Sequence, residues 1–383
     1  MINPSDEQAK AIAAVMRWLR APSAKPWFYL AGYAGTGKTT IAQVIAAEVR
    51  GGAVHFAAFT GKAASVLRRK GCAGASTIHR LIYKPVGEEN NRPTFVLRNP
   101  EDLRGALLII DECSMVNEKL GADLLSFGIP ILVLGDPAQL PPVSGEGFFT
   151  RGTPDVLLTQ IHRQAEGSPI LRLATMAREG RYIPMGKAYN PSGGGMAVVL
   201  KWDDVADRSK LTAHQIIVGT NATRIALNRT IRESLQDCGA LPRTPPNTPW
   251  LPAPGDKVIC LRNKHSRGLL NGSMWRVDES DLSGNETIVT MKVSSLDDDA
   301  AVPLEVMVPF QCFSGDKSYK FPMHLARNYE EFTYGYAITA HKAQGSEWQN
   351  VLIRNQGFIF GEDRHRWTYT AITRASENLI LAN

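Results

Sequence analysis

Apolar and polar positions along the chain fall into two textures. In the first 160 or so residues, short apolar runs alternate with segments of helical period. WFYLAG (27–32), AVHFAAFT (53–60), ALLIIDE (106–112) and IPILVLGD (129–136) are apolar and close on Gly, Thr or an acidic residue. KTTIAQVIAAEV (38–49) and GKAASVLRRKG (61–71) lie between them and read as amphipathic helices. This alternation predicts a parallel sheet with helices on both faces. YKPVGEENNRPTFVLRNP (83–100) interrupts it, and its polar centre predicts an inserted hairpin turning at Glu89-Asn90-Asn91.

A second α/β unit is predicted from residue 164. SPILRLATMAREG (168–180) places Ser168 as N-cap, Pro169 at the first helical position and Gly180 at the C-terminus. HQIIVGT (214–220) reads as a strand, and the helix after it as capped by Asn221. Prolines 242, 245, 246, 249, 252 and 254 then exclude regular structure. Beyond them the period drops to two in DKVICLRN, MWRVDES, ETIVTMKVS and PLEVMV, which predicts a small β-barrel over 256–322. The α/β texture resumes at 323 and runs to 383. The expected organisation is a first core over 1–163 with a hairpin at about 83–100, a second core from 164–255 and 323–383, and a β-rich insert at 256–322.

Composition narrows the class only modestly. The five cysteines (72, 113, 238, 260 and 312) show no paired spacing, which argues against a disulfide scaffold or a zinc site and fits a reducing cytosol. The opening MINPSDEQAK lacks a signal-peptide profile, and no apolar run is long enough to span a bilayer. A cytoplasmic protein without a membrane partner is the expectation. The net charge of +6 is compatible with a polyanionic partner without requiring one.

The chemistry is sharper. GYAGTGKT (32–39) fits G-x-x-x-x-G-K-[ST] and sits between a predicted strand and a predicted helix, the setting in which that motif binds nucleotide phosphates. Backbone N–H groups of Gly35, Thr36, Gly37, Lys38, Thr39 and Thr40 are expected around the phosphates, with Lys38 reaching the outer ones and Thr39 holding Mg²⁺. LLIIDECSM ends another strand in Asp111, expected on Mg²⁺, and Glu112, expected to take the proton of the attacking water. The ligands are therefore ATP and Mg²⁺. A GTPase would need Asn-Lys-x-Asp, and the nearest string, Asn263-Lys264-His265-Ser266, lacks the aspartate.

In chain order, GYAGTGKT, FTGKAA, STIHRLI, IIDECSM, GDPAQLPPV, IHRQ, YAITAHKAQGSEW and YTAITRA resemble the superfamily 1B DNA helicases of the RecD- and Dda-like branch. The resemblance implies two RecA-like cores with ATP between them and single-stranded DNA across their top, plus an SH3-like module at the insert. It implies that Gln8 reads the adenine edge, that Glu347 contacts the nucleotide, and that Arg163 and Arg374 reach the γ-phosphate from the second core. Gln139 would bond a γ-phosphate oxygen and the attacking water together, since an amide both donates and accepts. The stiff Pro141-Pro142 turn would pass the change on towards DNA. Thr60, Gly61, Lys62, Thr77, His79 and Pro142 in the first core, and Asn221, Thr339, His341 and Lys342 in the second, are the implied DNA contacts.

Phe95, in the hairpin, is the candidate wedge. Stacking on an aromatic is worth about 1–3 kcal/mol, comparable to the mean cost of about 1.4 kcal/mol per DNA stacking step. The implied activity is ATP-driven 5′→3′ unwinding by a monomer at single-strand and fork DNA, with replication or recombination proteins as further partners. The alternatives are a translocase that displaces proteins without unwinding, an RNA-directed motor, and a non-catalytic ATP-gated clamp. The last is disfavoured by the complete set of hydrolytic residues.

Overall fold

The structure, a computed structural model, describes residues 4–20, 25–89, 92–141, 147–161, 167–189, 195–264, 267–282, 287–297, 301–316 and 318–383. Pro142 and Arg163 lie outside them.

The first lobe is a parallel six-stranded sheet in the order β3-β2-β6-β7-β1-β8. Its strands are β1 (Trp27–Gly32), β2 (Val54–Ala58), β3 (Ser76–Thr77), β6 (Leu107–Asp111), β7 (Ile131–Gly135) and β8 (Val156–Leu158). Between β3 and β6 the chain forms an antiparallel hairpin of β4 (Tyr83–Glu89) and β5 (Arg92–Leu97). Helices α1 (Asp6–Arg20), α2 (Lys38–Glu48), α3 (Gly61–Arg69), α4 (Ile78–Ile82) and α5 (Glu118–Leu125) cover the sheet. The central strands are apolar on both faces because both are covered. Leu30, Ile109 and Leu132 pack with α1 and α2, while Tyr29, Ile110 and Val133 pack with α4 and α5.

The second lobe repeats the plan. Its sheet runs β17-β11-β18-β19-β10-β9, parallel except for β9. These strands are β9 (Gly186–Tyr189), β10 (Met196–Leu200), β11 (Gln215–Val218), β17 (Ala337–Thr339), β18 (Trp348–Arg354) and β19 (Ala375–Ala382). The helices are α6 (Pro169–Arg178), α7 (Asp207–Thr212), α8 (Asn221–Asp237), α9 (Ala340–Ala343) and α10 (Arg364–Ile372). Ser168 caps α6 through Leu171 N, with Pro169 first in the helix and Gly180 left-handed just past its end.

An antiparallel five-stranded sheet, β15-β14-β13-β12-β16, is inserted between α8 and β17. Its strands are β12 (Lys257–Cys260), β13 (Met274–Leu282), β14 (Ile288–Ser295), β15 (Leu304–Pro309) and β16 (Phe332–Tyr334). The sheet thus reaches past residue 322, where the sequence reading returned to the second core, because Phe332–Tyr334 pairs with β12. The backbone and carboxylate of Glu330 both bond Met307, at 2.8 Å, which draws the two sheet edges together. At the base, Arg232 of α8 is buried against Asp256 at 2.9 Å and also donates to Pro249 O and Leu251 O. That cluster fastens the proline-rich segment to the second lobe. No helix among the described residues is long and apolar enough to cross a membrane.

Candidate functional site

In a parallel sheet all strand C-termini open on one edge, and ligands gather there. In this chain the two lobes turn those edges to a common cleft. The first lobe lines it with Lys38, Thr39, Lys70, Asp111, Glu112, Asp136 and Gln139, and the second with Gly345, Ser346, Glu347, Thr373 and Arg374.

The phosphate loop follows β1 directly. Gly37 is left-handed (φ 81°) and precedes α2, and a Cβ there would meet Gln8 Nε2 at 2.7 Å. Lys38 Nζ donates to the carbonyls of Gly32 (2.6 Å) and Tyr33 (3.1 Å). Gln8 is buried under the loop: Nε2 donates to Thr36 O at 2.9 Å and Oε1 accepts from Ser5 N at 3.0 Å. In this structure Gln8 is a strut of the loop, with one proton and one lone pair of its amide left for other partners.

Asp111 and Glu112 stand at the end of β6. Asp111 Oδ1 accepts from Glu112 N at 2.9 Å. Among the described residues, Glu112 is the one non-glycine with positive φ (55°). Such a conformation costs about 1–3 kcal/mol and tends to be kept at functional positions. Burial raises the carboxyl pKa of both residues. Lys38 partly offsets this at Asp111, and Arg374 does so at Glu112, where the charge of Asp111 adds to the rise. Glu112 and Arg374, from different lobes, are thus close enough to feel each other's charge.

Gln139 lies beyond β7, the parallel neighbour of β6. Its Oε1 is buried without a hydrogen-bond partner among the described residues. An unsatisfied buried acceptor costs about 1–3 kcal/mol, so the site favours a donor such as water there. Arg374 is only 6% exposed and is held by its own lobe, donating to Thr370 O (3.1 Å), Ser346 O (3.2 Å) and Thr373 Oγ1 (3.1 Å). Glu347 pairs with Lys70 of the other lobe at 3.6 Å.

Four threonines mark the strand ends nearest the implied DNA contacts. Thr60, Thr77, Thr220 and Thr339 cap α3, α4, α8 and α9 with their hydroxyls. The cap of α8 is therefore Thr220, not Asn221. Asn221 is the first helical residue and accepts from Arg224. The His79 ring lies tilted against Tyr83, and that of His341 against Phe360.

The implied grip cations are turned inward. Lys62 is 4% exposed, 3.1 Å from Asp297 of the insert and 4.3 Å above the Trp348 ring. Burial lowers its pKa, and Asp297 counters that. Lys342 donates to Asn271 of the insert, and burial lowers its pKa too. A Cβ on Gly61 would strike Leu270 at 2.7 Å. The insert therefore rests on both grips. Phe95 on β5 is 55% exposed.

Sequence reading missed Asp136, Lys70, Ser346, Thr373 and Tyr369. Asp136 had a signal, an acidic residue closing an apolar strand; Lys70 had none.

Residues 3–193 match the family described as an AAA domain, and residues 334–382 match the UvrD-like helicase C-terminal domain. The chain is 30% identical over 380 residues to an ATP-dependent RecD2 DNA helicase of Deinococcus radiodurans, covering 92% of this chain and 46% of that protein. Together these matches support a superfamily 1B, RecD/Pif1-like helicase. A second relative, a probable conjugal transfer protein TraA of Sinorhizobium fredii, is 25% identical over 400 residues, covering 98% of this chain and 32% of that one. The chain thus spans under half the length of these curated relatives. Among solved structures, a Bacteroides Pif1 helicase in complex with ADP-AlF3 and ssDNA aligns at TM-score 0.56 with 20% identity, covering all of this chain and 93% of that one. A Candida albicans Pif1 helicase aligns at 0.53 with 18% identity, covering all of this chain and 95% of that one. These likenesses show the shared fold of two α/β cores.

Proposed function

We propose that the chain is an ATP-driven motor that moves 5′→3′ along single-stranded DNA and opens duplex at a fork. What carries the reading is the cleft at the seam of the lobes, where Lys38, Asp111, Glu112 and Gln139 from one side face Glu347 and Arg374 from the other. A hydrolytic set divided between two bodies links the chemistry to their relative position.

Thr39 and Asp111 would hold Mg²⁺, whose bound charge offsets that of the phosphates. An oxygen-only pair of one hydroxyl and one carboxylate suits that ion. Glu112 takes the proton of the attacking water, a role its raised pKa favours. Gln139 orients that water through its Oε1, which is buried without a partner among the described residues. Lys38 and Arg374, with Arg163 as a second arginine, stabilise the charge that develops on the transferred phosphoryl group. Gln8 turns its remaining amide capacity to the adenine, and Glu347 contacts the nucleotide.

Single-stranded DNA crosses the strand-end edge, held first by Thr60, Thr77 and His79, with Gly61, Lys62 and Pro142 as further proposed contacts. It is then held by Asn221, Thr339 and His341, and by Lys342 once it leaves Asn271 of the insert. The differential affinity of the open and closed lobes for ATP drives alternation between the grips. The hairpin with exposed Phe95 is the wedge, and the β-rich insert, an SH3-like module, braces it. Replication or recombination proteins are the proposed company of such a monomeric cytoplasmic motor.

The test is strand displacement on matched duplexes with a 5′ or a 3′ single-stranded tail, with Mg-ATP. The proposal requires displacement from the 5′ tail and little from the 3′ tail. Preference for the 3′ tail rejects the polarity, and displacement of neither, with ATP turnover intact, moves the assignment to a translocase.

A further inference from the structure

We propose that Tyr369 is a positioning residue: its single hydroxyl ties the phosphate loop and the Gln139 turn of the first lobe to the helix that leads into Arg374 in the second. The proposal rests on the ATPase reading above and adds to it the link that makes the two halves of the site move as one.

The contacts are few and complete. Tyr369 lies on α10, five residues before Arg374, and is 1% exposed. Its oxygen accepts from the backbone N–H of Ala34, inside the phosphate loop, at 2.7 Å. Its proton goes to Asp136 Oδ2 at 2.6 Å. Asp136 in turn shapes the turn that carries Gln139: Oδ1 accepts from Ala138 N at 3.0 Å, and the Asp136 carbonyl accepts from Gln139 N at 3.2 Å. A tyrosine hydroxyl has one proton to give, and both directions are in use here. Burial and the charge of Asp136 push its pKa well above the ordinary tyrosine value, so the proton stays available for donation.

The next residue continues the tie. Thr370 Oγ1 accepts from Leu140 N at 2.8 Å, and Gln344 Nε2 donates to Leu140 O at 2.8 Å. Both backbone groups of Leu140 are therefore satisfied by the other lobe. The Asp136–Leu140 turn, although it follows a first-lobe strand, takes its outer hydrogen bonds from the second. A displacement of the loop at Ala34 is then felt through one oxygen by the Gln139 turn and by the helix that ends beside Arg374. Phenylalanine keeps the ring and its packing but breaks both links.

The experiment compares wild type, Tyr369→Phe, Asp136→Asn and the double variant. The first readout is the ratio of ATP turnover with saturating single-stranded DNA to turnover without it. A loss of folded protein cancels in this ratio, so a purely structural role would not move it. Tyr369→Phe is expected to lower the ratio by about 10- to 100-fold, the range for losing a hydrogen bond to a charged group. Affinity for a fluorescent ATP analogue should stay within about twofold. The double variant should lose no more than the worse single, because both act on the one Tyr369–Asp136 bond that they share. The second readout is amide exchange at Ala34, which should speed up in Tyr369→Phe whether or not the protein turns over ATP. An unchanged ratio, or unchanged exchange at Ala34, overturns the proposal. A wild-type chain without turnover rejects the ATPase reading instead, and the exchange measurement then still decides whether Tyr369 holds the loop.

Discussion

Replacing Arg374 by alanine separates the contribution of the second lobe from that of the first. The guanidinium is nearly buried, fixed by Thr370 O, Ser346 O and Thr373 Oγ1, and close enough to Glu112 to offset part of the rise that burial gives its pKa. Lys38 comes from the other lobe, so Arg374→Ala leaves the phosphate loop whole but removes positive charge from the far side of the proposed γ-phosphate position. Arginines in this role contribute about 10³–10⁵ in rate, or about 4–7 kcal/mol of barrier at 1.36 kcal/mol per decade. The folding cost is smaller, about 1–3 kcal/mol for the carbonyls left without a donor. A marginally stable protein of about 5–15 kcal/mol tolerates that loss. The assay is single-turnover hydrolysis with saturating single-stranded DNA, beside binding of a fluorescent ATP analogue and a urea melt. The expected result is a rate lowered at least about 10³-fold with nucleotide affinity reduced far less. Arg374→Lys should fall between, since an ammonium keeps the charge but not the fork. A variant within about tenfold of wild type, or one that loses affinity as much as rate, would refute the reasoning.

Other outcomes follow from the same geometry. Glu112→Gln should lower turnover by at least about 10²-fold while leaving nucleotide bound in a filter assay; ordinary turnover would remove Glu112 from the general-base role. Phe95→Ala should slow strand displacement and leave DNA-stimulated ATP turnover unchanged, whereas equal displacement would leave the exposed ring without a part in opening the duplex. Asp256→Ala should destabilise the chain by about 3–5 kcal/mol in urea, because it strands the buried Arg232, and a smaller effect would mean that water reaches that pair. Binding of single-stranded DNA should weaken steeply with salt, as counterion release requires, and a flat dependence would argue against phosphate grips at the strand ends.

The placement of many of the first lobe's cleft residues could be read from the sequence because each of these follows a strand. Lys38, Thr39, Asp111, Glu112 and Gln139 all stand within a few residues of a continuous apolar run, so period and spacing alone place them on one edge. The tie of Tyr369 to Asp136 could not be read that way. It joins residues 233 apart, and a buried tyrosine in an apolar helix looks like core until its hydroxyl partner is seen. Lys62 follows the same logic: it stands where a phosphate grip is expected, yet it packs between Asp297 and Trp348, from two segments far along the chain. The cap of α8 turned on one residue, since Thr220 and Asn221 are both good caps and the extended backbone of Thr220 decides between them. β16 escaped because its three residues lead straight into the apolar run of β17 and carry no signal of which sheet they join.

The claim beneath all of this is that nucleotide at the seam sets how tightly the two lobes hold a strand. The direct measurement is the affinity of Glu112→Gln for single-stranded DNA without nucleotide, with Mg-ATP and with Mg-ADP, at one fixed salt concentration. The account predicts affinities that differ between these states by about 5- to 150-fold, with DNA shifting ATP affinity by the same factor, as linkage demands. One affinity in all three states would contradict it.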